Sequence, residues 1–132
     1  MSELFHAVVW IDHREARVFH FNADEAQHEQ VHPLNPTRHL HHKAHSIGSG
    51  NAPEDQNFFT AVAEAIGGAG EVLITGPANA KLEFMKHVER HPAQLHARVA
   101  GVETLDHPSD GELLAHARQF FRAADRMGSQ RT

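Results

Sequence analysis

The 132-residue sequence contains no cysteine. That absence excludes a disulfide framework, a thiolate metal site and a cysteine nucleophile. No apolar stretch reaches the ~20 residues that a helix needs to cross a bilayer. The opening MSELFHAVVW has neither the basic head nor the small-residue cleavage site of a secretory leader. A cytoplasmic protein with no membrane contact is the expectation. A basic surplus is missing too: 12 Lys and Arg stand against 17 Asp and Glu, a formal charge of −5. General nucleic-acid binders are usually basic, so any contact with RNA has to rest on a local patch. The 14 histidines make that balance conditional, because imidazole titrates near pH ~6.5 and mild acid removes much of the negative excess.

The composition that remains is ordinary for a globular chain, 40% apolar and 22% charged. The length suits a single domain, read here as residues 1–127 with a flexible tail at 128–132. HAVVWID is a nearly continuous apolar run, as expected of a strand buried on both faces. EARVFHFN alternates and reads as a second strand, and AQHEQVHP as a polar third strand at a sheet edge. Such an edge offers a site for pairing with a second copy, so a homo-oligomer is one expectation.

PEDQNFFTAVAEAIGG reads as a helix with Phe58, Val62 and Ile66 on one stripe and Gly67 and Gly68 at its end. EVLITGP is a strand entering a turn. Pro77 is expected to start a helix whose Leu82, Phe84, Met85 and Val88 face inward. ARVAGVETL is a last strand. The final helix has capping-box spacing at Ser109 and Glu112 and an inward stripe of Leu113, Ala117, Phe120 and Ala124. The order β-β-β-α-β-α-β-α predicts an α/β fold with a mixed five-stranded sheet and packed helices, the order of the ribonuclease H-like fold.

Between the third strand and the first helix lies a long His/Gly loop, residues 34–53. It holds Arg38, His39, His41, His42, Lys43 and His45, then Gly48, Gly50 and Asn51. Its cations and imidazoles suit contact with RNA phosphates, helped by the small size of glycine. Lys81, Lys86 and Arg90 offer a second basic patch on a helix face. The bland alternative for both is a solvated surface.

At ITGPANAKLEFMKHV the sequence resembles the central, ribonuclease H-like domain of archaeal and eukaryotic class-1 release factors and of the ribosome-rescue protein Pelota. Gly76, Pro77, Lys81 and Phe84 hold the places of that family's Gly-Pro turn and Lys-x-x-Phe helix. The stretch VVWIDHREARVFHF is similar to its first hairpin. A bacterial branch of small single-domain proteins, known as translational machinery or host-attachment proteins, is similar in both places.

The resemblance implies a ribosome-associated protein whose partners are the ribosome, rRNA or tRNA. In the release factors the loop after the third strand carries a Gly-Gly-Gln tripeptide that positions water on the peptidyl-tRNA ester. Here Lys43 and His45 resemble the basic lead-in, and Gly48, Ser49, Gly50 and Asn51 occupy the tripeptide's place. Ser49 separates the glycines, and Asn51 is one methylene shorter than glutamine. Positional errors of about 1 Å cost such chemistry heavily, so binding without peptidyl-tRNA hydrolysis is the expectation. A host-attachment role finds no export signal in this sequence.

The competing reading is metal chemistry. His39, His41, His42 and His45 supply enough imidazole for zinc or another divalent ion, although a glycine-rich loop gives such ligands little rigidity. A metal-binding protein or a metal-dependent hydrolase or nuclease is therefore the alternative. A nuclease of this fold would need clustered carboxylates at strand ends. Asp12 and Asp106 are candidates, and Asp12 fits a simple polar turn equally well. Ser46 and Ser49 near His45 lack an obvious orienting acid or nucleophile elbow. The lone His6, His20, His87, His96 and His116 read as strand or helix-surface residues.

Overall fold

The computed structural model describes residues 4–33, 53–90 and 93–130, with 53–55, 93 and 124–130 described by backbone alone. Five strands form one mixed sheet: β1 (His6–Ile11), β2 (Ala16–Phe21), β3 (Ala26–Val31), β4 (Glu71–Gly76) and β5 (Val99–Thr104). The strand order is β3-β2-β1-β4-β5. β1, β4 and β5 run parallel, and β2 and β3 complete an antiparallel meander beside them. The expected α/β architecture is therefore present, with the polar strand β3 at an edge.

Four helices pack on the two faces: α1 (Pro53–Ile66), α2 (Ala80–Arg90), α3 (Ala93–Arg98) and α4 (Asp110–Gln130). Alternation within the strands divides the core. Val9, Val18 and Ile74 join Phe58, Val62 and Phe84 beneath α1 and α2. Trp10, Phe19 and Leu73 turn the other way, against Leu113, Ala117 and Phe121 of α4. The central strands are buried on both faces, which is why HAVVWI and EVLITG read as continuous apolar runs.

Local chemistry sets the element ends. Gly67 takes a φ of 59°, where a side chain would be strained, and its amide bonds to the Ala63 carbonyl at 3.0 Å. Ser109 and Glu112 form the reciprocal capping box at the start of α4, with bonds of 2.8 and 3.1 Å.

Four expectations change. α2 begins at Ala80, not Pro77; the Asn79 carbonyl accepts the first bonds, from Leu82 and Glu83. Leu82 is 50% exposed, because it lies on the flank opposite Phe84. On α4 Phe121 is the buried phenylalanine, while the expected Phe120 is partly buried and packs against the same core. The helix also continues through Gln130, into the residues expected as a tail. The short α3 was not anticipated.

Candidate nucleic-acid interface

The loop residues Arg38, His39, His41, His42, Lys43, His45, Gly48, Gly50 and Asn51 lie outside the described residues. The frame that roots them is described. β3 ends beside the start of β2, with Val31 opposite Ala16, and Ala16 in turn faces Ile11 at the end of β1. Pro33 therefore follows from the sheet's carboxyl end, where the parallel strands also finish. α1 returns in the opposite direction. Its last residue, Ile66, accepts a 2.8 Å hydrogen bond from His20 Nε2 near the far end of β2, so Pro53 starts at the carboxyl end as well. Ligands of open α/β sheets gather at this end.

The Gly76–Pro77 turn sits at the same end and explains its own residues. A β-carbon on Gly76 would overlap the Ile11 carbonyl oxygen, so β4 can lie this close to β1 only with glycine there. The Gly76 carbonyl accepts from the Leu105 amide at 3.0 Å and so also ties in the end of β5. Phe84 is fully buried. Lys81 is 7% exposed, and its Nζ donates to the Ala78 carbonyl at 2.5 Å, across the turn.

That burial removes Lys81 from the expected basic patch. Lys86 and Arg90 are exposed one helical turn apart, while Lys81, nine residues before Arg90, points to the opposite side of α2. The described residues at the carboxyl end are in fact rich in acid. Asp12, Glu15, Glu83, Asp106 and Asp110 stand there with Arg14 and with Arg17, which is already paired. Arg14 is exposed at this end, and further positive charge for a polyanion would have to come from Arg38 and Lys43.

The two candidate nuclease carboxylates, Asp12 and Asp106, make local hydrogen bonds. Asp12 Oδ1 accepts the amides of Arg14 and Glu15 at 2.7 and 2.9 Å, closing the β1–β2 turn. Asp106 bonds its neighbour His107 at 3.0 Å. Among the described residues, no three His, Asp or Glu side chains meet in a group able to hold a metal ion.

Two polar clusters escaped the sequence reading. Arg17, 8% exposed, lies over the Trp10 ring at 4.8 Å and donates to Asp110 Oδ1 at 2.6 Å and to the Pro108 carbonyl at 3.0 Å. Trp10 Nε1 donates to the Leu105 and Asp106 carbonyls at 3.2 and 3.0 Å. Together they clamp the β5–α4 connection to the sheet. The available signal was the alternation of Arg17 with Phe19 and Phe21, which puts all three on the α4 face. His87, expected at a helix surface, is buried between helices. Its Nδ1 meets Gln56 Oε1 at 2.8 Å and its Nε2 meets Thr60 Oγ at 3.3 Å. Its spacing of three from Phe84 carried that information.

No protein-family model matches the chain, and no curated protein sequence matches it. Its fold is shared with solved translation factors. S. cerevisiae Dom34, a translation termination-like factor involved in RNA quality control pathways and interacting with Hbs1, aligns with 96% of this chain at a TM-score of 0.60 and 9% identity, over 38% of its own length. Pelota from Thermoplasma acidophilum aligns with 81% at a TM-score of 0.54 and 19% identity, over 30% of its length. The archaeal translation termination factor aRF1 aligns with 95% at a TM-score of 0.51 and 14% identity, over 39% of its length. The chain therefore has a release-factor/Pelota central-domain-like fold and spans less than two fifths of these proteins.

Proposed function

We propose that this protein is a ribosome-associated relative of the translation termination factors. It contacts ribosomal or transfer RNA through residues 38–51 and does not hydrolyse peptidyl-tRNA. The observation that carries this reading is the rooting of the segment: Pro33 and Pro53 both lie at the carboxyl end of a sheet with the fold of Dom34, Pelota and aRF1. Arg38 and Lys43 belong by sequence to the segment rooted at this end, and with the exposed Arg14 they supply the attraction to phosphate. The Gly-Ser-Gly-Asn run lacks the adjacent glycines and the glutamine of the hydrolytic tripeptide, which favours binding over ester hydrolysis.

Cosedimentation of the tag-free protein with ribosomes tests the reading. Retention at low salt that falls with added salt, and falls further in Arg38→Ala and Lys43→Ala, is expected. Failure of ribosomes and of purified RNA to retain the protein at low salt would falsify it. Zinc titration of the same sample tests the metal alternative. Stoichiometric binding lost in a His41→Ala, His42→Ala double variant would replace RNA contact with metal binding as the role of the segment.

A further inference from the structure

Among the described residues, the two edge strands of the sheet lack an outer partner and differ in chemistry. On β3, Gln27, His28, Glu29 and Gln30 are all exposed, and polar or charged side chains of this kind keep natural edge strands from pairing. β5 reads Val-Ala-Gly-Val-Glu-Thr, and its one carboxylate, on Glu103, is drawn to His116 of α4 at 2.5 Å. Three large hydrophobic side chains are exposed among the described residues, and one of them, Val102, lies on β5 itself. Val102, 38% exposed, stands opposite Ile74 and so faces the α1–α2 layer.

Among the described residues, the outer backbone of β5 has no strand partner in the same place. The Leu105 amide donates to Gly76 at 3.0 Å, so by strand alternation the amides of Glu103 and Gly101 turn toward β4. Those of Val102 and Thr104 turn to the outer edge. Ala100 is the extra residue where the register shifts between Val72 and Leu73, which leaves residues 101–104 as the regular part of the strand.

We infer that β5 is a self-association edge, at which two copies of this chain pair antiparallel about a two-fold axis at Val102. Such an axis sets one residue against itself. Centred on Val102, the pairing puts valine against valine and Glu103 against Gly101 of the second copy, so no like charges oppose one another. The same operation on β3 sets His28 against His28, or Glu29 against Glu29. The β5 pairing also covers Val102 of each copy. It is independent of any contact with RNA.

The cysteine-free sequence makes the test direct. A hydrogen-bonded antiparallel pair holds its Cα atoms ~5.5 Å apart, inside the ~4.4–6.8 Å that a disulfide spans. Val102→Cys is expected to oxidise to a covalent dimer, while Gln27→Cys on β3 stays monomeric on a non-reducing gel. By light scattering at tens of micromolar, the wild type is expected at twice the chain mass. Val102→Lys, with its fold checked by circular dichroism, is expected at half that value. A wild-type mass of one chain overturns the proposal. So does cross-linking through position 27 in place of 102, or a Val102→Lys protein that keeps the double mass.

Discussion

Gly76 and Ile11 approach so closely that a methyl group on Gly76 would overlap the Ile11 carbonyl oxygen. The neighbour is backbone within a fully paired strand, so it cannot swing aside. Gly76→Ala is expected to cost roughly 1–3 kcal/mol, the range for overpacked cores, measured as a lower urea midpoint. Gly68→Ala, with nothing within 4 Å of an added β-carbon, is the control and should change stability by about 0.5 kcal/mol or less.

Asp110 gives the buried guanidinium of Arg17 its only carboxylate among the described residues, at 2.6 Å. Asp110 itself is 51% exposed, so its own desolvation is slight and the loss on removal falls on Arg17. Asp110→Ala is expected to destabilise by about 1 kcal/mol. Arg17→Met, which keeps packing against Trp10 and removes the buried charge, should be better tolerated than Arg17→Ala. Thermal melts of the three variants rank them.

His87 joins α2 to the first turns of α1 through Gln56 and Thr60, with its ring 5.7 Å from Phe59. His87→Ala is expected to lower stability by roughly 1–3 kcal/mol. A double-mutant cycle with Gln56→Ala should return a coupling of about 0.5–1.5 kcal/mol. Additivity of the two changes would show that the bond contributes nothing.

Ribosome or RNA retention should respond to charge at the carboxyl end in both directions. Arg38→Ala and Lys43→Ala are each expected to lower the slope of log affinity against log salt by ~0.7–0.9, with unchanged thermal stability. Asp106→Asn, which removes a 91% exposed carboxylate from the same end, should tighten binding by about twofold at low salt. Equal affinities across this series would remove the electrostatic basis of the proposed interface.

The parts of the fold that announce themselves in sequence are those where side-chain chemistry and burial agree. β1 and β4 are apolar because both faces are covered, and the Phe58–Val62–Ile66 stripe repeats at helical spacing. The capping box at Ser109 needs only two residues to declare itself. Reading failed where polar residues sit inside. Lys81, Arg17 and His87 each occupy a core-facing position; Arg17 and His87 bond partners distant in sequence, and Lys81 turns its Nζ onto the carbonyl three residues before it, none of which spacing alone reveals. α3 was missed because six residues with one buried leucine carry too short a period. Of the candidate site, the Gly76–Pro77 turn and Phe84 were legible, while the basic patch on α2 shrank to Lys86 and Arg90 once Lys81 proved to point inward.

Trp10 is the chain's single tryptophan, fully buried and hydrogen-bonded to two carbonyls of the β5–α4 connection. Its fluorescence is thus a built-in optical gauge of one joint. Emission should be blue-shifted in the native protein and move to the red only when α4 lifts from the sheet. A ligand engaged solely by residues 38–51 should leave that spectrum still, so any colour change on adding RNA would report that the signal has travelled into the body of the molecule.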